Sequence, residues 1–123
     1  MKTLDPADWN YRPIYDNGTD SDDYHTSKGF NYHNGPEWLW LVGFFFEAQI
    51  IFNWSESLPF VITHHLRPHK QLIQFSPWQG LPELTNRDGE PCSFSCPSQA
   101  WSSATILAML CELRKKIDMS ESK

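Results

Sequence analysis

Cysteine is scarce in this 123-residue chain: Cys92, Cys96 and Cys111 are an odd set that internal disulfides cannot pair completely. With no secretory leader at the start of the sequence, they read as free thiols of a reducing, cytoplasmic compartment. Cys92 and Cys96 lack a second ligand pair, so no zinc or other metal is expected, and nothing calls for a cofactor. Positive charge is also in the minority, with ten Lys and Arg against fifteen Asp and Glu and a net charge of −5. Nothing in the chain resembles a basic stripe for nucleic acid or a polybasic patch for a membrane surface, and neither partner is expected. The longest apolar run, Trp38 to Phe52, contains Glu47 and Gln49 and falls short of the roughly 20 residues a membrane span needs. Asn17-Gly18-Thr19 and Asn53-Trp54-Ser55 match the glycosylation sequon, but carry little weight without a leader. There is no persuasive strand alternation and no internal repeat.

What the chain has in quantity is aromatic surface: 15% of its residues, with six Trp and eight Phe. An indole face can stack on the apolar face of a pyranose, and it can equally fill a core. Composition alone favours the core.

Residues 1–35 read as an irregular, turn-rich lead-in, with Asp16, Asp20, Asp22, Asp23, Gly18 and Gly29 scattered through it. A stretch this long without its own structure suggests a piece of something larger. A helix is expected over 36–53, with Pro36 at its first position and Glu37 in the first turn, where the dipole favours a carboxylate. It is apolar on nearly every side, which requires neighbours on every side. Residues 56–75 read as a short helix broken at Pro68. Residues 76–97 are a Pro- and Gly-rich loop, the kind of segment on which sites are carried. A last helix is expected over 98–116, burying Ala100, Trp101, Ala104, Leu107, Leu110, Cys111 and Leu113, before a frayed tail at 117–123. His64, His65 and His69 cluster in the sequence without a ligand pattern. The class is mainly α, within one domain of 1–123.

Three segments carry a family likeness: GFNYHNGPEWLW at 29–40, SPWQGLPELTNRDGEPC at 76–92 and SCPSQAWSSATIL at 95–107. In order and spacing they resemble the C-terminal, amylo-α-1,6-glucosidase region of the eukaryotic glycogen debranching enzyme family, and the opening MKTLDPADWNYRPIYDN resembles the stretch before them. Leu41 stands where the family usually has Pro, and 54–75 is the least similar part. The resemblance implies an α/α toroid, of which this chain would be a C-terminal piece: the closing helices of a six-hairpin glycosidase barrel. It also implies glycogen or branched limit dextrin as substrate, and the remainder of the debranching polypeptide, with its 4-α-glucanotransferase activity, as partner.

Glycoside hydrolysis uses two carboxyl groups, set roughly 6.5–9.5 Å apart when the mechanism is inverting. Glu83, in Gly80-Leu81-Pro82-Glu83-Leu84, sits beside residues that stiffen the backbone and matches the family's general base. The partner acid implied by the resemblance is an Asp upstream of everything matched here, so the isolated chain is expected to be inactive. Candidate substrate contacts are His33, Asn34 and Glu37, the indoles of Trp38, Trp40, Trp78 and Trp101, and Gln99. The alternatives are a non-catalytic glucan-binding or interaction module without the acid, and a truncated product without function.

Overall fold

The computed structural model describes every residue except Thr19, Tyr24, Thr26, 53–58 and 122–123. The sequon at Asn53-Trp54-Ser55, the Thr19 end of the other sequon, and the first residues of the expected 56–75 helix lie outside the described residues. The architecture is mainly helical. Contacts divide it into two compact units: a loop unit of Met1–Leu39 with Pro82–Pro97, and a helical unit of Trp40–Leu81 with Ser98–Lys123.

In the loop unit the acidic lead-in folds upon itself locally. The Oδ1 atoms of Asp5, Asp8, Asp16 and Asp23 each accept a hydrogen bond from the backbone N–H two residues on, at 2.7 to 2.9 Å. These Asx turns explain why short carboxylates are repeated through 1–35. A 3₁₀ segment follows at Ser27–His33. The expected helix start at Pro36 is replaced by a short strand, β1 (Glu37–Trp38), paired antiparallel with β2 (Leu84–Thr85) in the register Glu37 to Thr85 and Trp38 to Leu84. The reason lies outside the local sequence. Residues 1–3 lie along 35–38, with Trp38 N–H donating to Met1 O at 2.9 Å and Thr3 Oγ1 donating to Pro36 O at 3.2 Å. Those bonds, and the pairing with 84–85, claim backbone groups that a helix would have used. Strands of two residues are too short for alternation to reveal.

Gly35 is set by close approach: a Cβ there would lie 2.1 Å from the carbonyl oxygen of Arg12, whose N–H donates to Asn34 O at 2.7 Å. The unit's buried side chains include Tyr11, Tyr15, Trp38, Leu39 and Leu84, together with the polar Asn31, Thr85 and Asn86. Asn86 ties three segments, accepting from Tyr15 N–H at 3.0 Å and donating from Nδ2 to Pro91 O at 3.1 Å.

The helical unit begins with α1 (Trp40–Phe52). The chain is helical again from Pro59, through a π-helical turn at Val61–Leu66, directly into α2 (Arg67–Phe75). The break expected at Pro68 is therefore absent. Pro68 sits in the first turn of α2, directly after the π-helical turn, where the helical hydrogen-bond pattern changes. The last helix, α3 (Ala100–Glu121), runs through Ile117 and past the expected start of fraying.

The buried stripe of α3 is Ser102, Ile106, Met109 and Leu113, which shares only Leu113 with the face expected from the sequence. Leu107 and Leu110 are exposed, as are Ala104 and Cys111. α3 has apolar residues on two sides, and the side facing α1 wins because of Gly43. A Cβ on Gly43 would lie 2.2 Å from the carbonyl carbon of Thr105, so the two backbones meet at this point. Val42, Phe46 and Ile50 continue the contact face of α1, and Lys116 Nζ donates to Ile50 O at 3.3 Å near its end. Phe44, Phe45, Ile51 and Phe52 of α1 remain exposed, Phe52 at 81%. Among the described residues no helix is long and apolar enough to cross a membrane.

Gly43→Val should force α1 and α3 apart, since backbone cannot yield as a side-chain tip does. Overpacking of this kind costs about 1–3 kcal/mol. The expected result is a lower midpoint in denaturant followed by circular dichroism.

Candidate functional site

Glu83 lies one residue before β2 and is half-buried. Its N–H donates to Cys96 O at 2.9 Å and its own carbonyl accepts from Leu39 N–H at 3.2 Å. The next residue is held too: Leu84 N–H donates to Ser95 Oγ at 3.1 Å. The stiffness anticipated from Pro82 and Gly80 is thus reinforced by hydrogen bonds on both sides of the peptide. The carboxylate is fixed as well, because Tyr32 Oη donates to Glu83 Oε1.

Tyr32 is itself enclosed by rings. Its centroid lies 4.7 Å from that of Trp38, 4.8 Å from that of His33 and 4.9 Å from that of Tyr15. Trp38 Nε1 donates to Tyr32 O at 3.2 Å, fixing the backbone from which the phenol projects. Burial first, and then the bond to the Glu83 carboxylate, push the Tyr32 phenol well above its ordinary pKa. Tyr15 is raised as well, by burial and then by the nearby Cys92 and Glu83. Burial likewise pushes the Cys92 thiol up; its Sγ lies 3.7 Å from Tyr15 O. All three cysteines are free thiols.

The other residues singled out in the sequence fall in different settings. Trp38 is only 6% exposed, with one face against the His33 imidazole at 5.1 Å and an interplanar angle of 12°. It builds the enclosure around Tyr32, and His33 holds the exposed side of that stack. Asn34 is half-buried at the turn before Gly35. Glu37 serves the neighbouring 3₁₀ turn, Arg87–Gly89, in place of the helix dipole expected for it. Its Oε2 accepts from Thr85 Oγ1 at 3.3 Å and Gly89 N–H at 3.0 Å, and its Oε1 accepts from Asp88 N–H at 3.2 Å. With Asp88 in the left-handed region (φ 61°), this turn aims its amides at one carboxylate.

Trp40, Trp78, Gln99 and Trp101 belong to the helical unit. Trp40 opens α1 and meets Phe44 edge to face at 6.1 Å. Trp78 is 64% exposed in the turn after α2, and Trp101 is 43% exposed in the first turn of α3. Gln99 N–H donates to Leu81 O at 2.7 Å. The histidines of this unit pack on phenylalanines: His64 stacks on Phe60 at 4.5 Å, and His65 lies 5.3 Å from Phe46. Among the described residues no group of three or more His, Cys, Asp or Glu could hold a metal ion.

Tyr15 lies in the family-like opening and Cys92 ends the second family-like segment, but nothing in the sequence places either beside Glu83. Tyr32 lies inside the first family-like segment, but its bond to Glu83 spans 51 positions, and no spacing rule reaches that far. The pair makes a spectroscopic prediction. In Glu83→Gln the acceptor loses its charge, so Tyr32 should ionise at lower pH than in the parent chain, though still above ordinary tyrosine because burial remains. Ultraviolet titration of the phenolate checks this. The stability lent by the raised phenol is complete below the ordinary tyrosine range and is lost as pH rises towards the folded value.

This geometry lies inside a stretch shared with known proteins. The family described as amylo-alpha-1,6-glucosidase matches residues 1–108. The glycogen debranching enzyme of Saccharomyces cerevisiae is 48% identical over 127 residues, covering 92% of this chain and 8% of the yeast protein. The chain therefore spans about 8% of the length of that relative. With Glu83 and the enclosure around it inside the matched region, the chain belongs to the amylo-alpha-1,6-glucosidase family of glycogen debranching enzymes.

Proposed function

We propose that this chain supplies the general base of an amylo-α-1,6-glucosidase that hydrolyses the α-1,6-linked glucose at glycogen branch points. The observation that carries the proposal is Glu83: a half-buried carboxylate on a backbone pinned from both sides, oriented by a phenol, within the matched region. In the inverting mechanism a water oxygen bonds to the anomeric carbon and gives its proton to this carboxylate. The C–O bond to the glucan breaks, and an acid on the other face protonates the leaving oxygen. That acid is the Asp the family resemblance implies, on polypeptide preceding this stretch. The chain by itself should therefore turn over little or no substrate.

The helices α1 to α3 are read as closing helices of an α/α toroid. In support, α1 and α3 keep apolar side chains such as Phe44, Ile51 and Leu107 exposed, surface suited to neighbouring helices. The working unit is then this segment joined to the remainder of a debranching polypeptide in the cytoplasm, with 4-α-glucanotransferase activity residing elsewhere in it. His33, at the exposed edge of the ring enclosure, is suited to a sugar hydroxyl; Trp78 and Trp101 give the helical unit indole surface for stacking.

A second reading, a glucan-binding module without catalysis, draws on those exposed indoles and on Glu37, whose two oxygens are occupied by the turn at 87–89. Glucose release from branched limit dextrin, measured beside co-sedimentation with glycogen, separates the two. Joined to the upstream debranching polypeptide, the segment should support release, and Glu83→Gln should lower it by about 100-fold or more while leaving sedimentation unchanged. Release that persists in Glu83→Gln removes Glu83 from catalysis; sedimentation with no release by the parent assembly favours the binding module.

A further inference from the structure

We infer that Tyr32 is the positioning residue for Glu83, holding one carboxylate oxygen so that the other takes the proton from water. This rests on the reading of Glu83 as the base. Tyr32 has one proton to donate, and it is committed to Oε1. The remaining oxygen makes no hydrogen bond to the described residues, so it keeps its lone pairs for water.

The phenol can act as a guide because it is itself immobile. Trp38 meets it edge-on with an interplanar angle of 73°, His33 meets it at 71°, and Tyr15 closes a third side at 51°. Its main chain is tied through Tyr32 O to the Trp38 indole, and the following turn is closed by Asn34 N–H to Asn31 O at 3.0 Å. The neighbouring Asn31 is fully buried and donates from Nδ2 to Ile14 O. At the other end, the Glu83 backbone is fixed through Cys96 O and Leu39 N–H. What remains free in Glu83 is rotation of its side chain, and the Tyr32 bond removes it. A solvated Glu would sample several rotamers, and misplacement of a reacting group by about 1 Å costs on the order of 100-fold in rate. Trp38 thus acts on catalysis through Tyr32, which gives this buried indole a positioning role.

The test is Tyr32→Phe in the segment joined to its upstream polypeptide, assayed on branched limit dextrin. The ring and its packing persist, and only the hydroxyl is lost. The expected result is a fall in kcat of about 10- to 100-fold with KM unchanged and an unaltered thermal melt. Full kcat in Tyr32→Phe, with Glu83→Gln inactive, overturns the positioning role while leaving the base intact. A rise in KM at constant kcat also overturns it, making Tyr32 a substrate contact. If both variants remain active, the assignment of Glu83 itself has failed. Should Tyr32→Phe not fold, the phenolate titration of the parent chain and Glu83→Gln decides: identical curves overturn the hydrogen bond.

Discussion

The hydrogen bonding around residues 83–85 is the constraint on which the loop unit depends. β1 and β2 contribute only two residues each, yet their pairing fixes the peptide of Glu83, places Thr85 beside Glu37, and sets Trp38 opposite Leu84. Sheets this small are not stable alone in water. Here the pairing is extended by the bridge from Lys2 to Glu37 and capped by the turn at Arg87–Gly89, whose amides converge on Glu37. Each part satisfies backbone groups that another part would otherwise leave open.

The same economy governs the aromatic residues. Trp38, Tyr15 and Tyr32 pack together in the loop unit, and two of them also have a polar handle in use: the Trp38 indole N–H on Tyr32 O and the Tyr32 phenol on Glu83. For Trp38, 6% exposed, core filling is the role the structure shows in the loop unit. The helical unit contrasts with it. Its central contact is backbone against backbone at Gly43 and Thr105, and much of its apolar surface lies exposed. That surface is consistent with a segment that makes up a small part of its relatives' length.

Local chemistry was legible wherever it was self-sufficient. The turn-rich lead-in, the mainly helical class, the Pro–Glu bend and the family likeness could all be read directly, because Asx turns, apolar runs and motif wording act over a few residues. Glu37 shows the limit. Its place after Gly35-Pro36 matches a helix start, and the structure overrules it, since residues 1–3 and 84–85 compete for the same backbone groups. Pro68 shows another limit, as the chain stays helical through it directly after a π-helical turn.

The sequence by itself determined which residue types were present for chemistry: a carboxylate beside Pro82 and Gly80, abundant indoles and three cysteines. Tertiary structure alone decided which groups meet. Tyr32 reaches Glu83 across 51 positions, and Ser102, Ile106 and Met109 are buried where the pattern pointed to Leu107, Leu110 and Cys111. The physical reason is shared. Side-chain partners and buried faces are selected by the packing of distant segments, and hydrophobic burial has no direction until a neighbour supplies one.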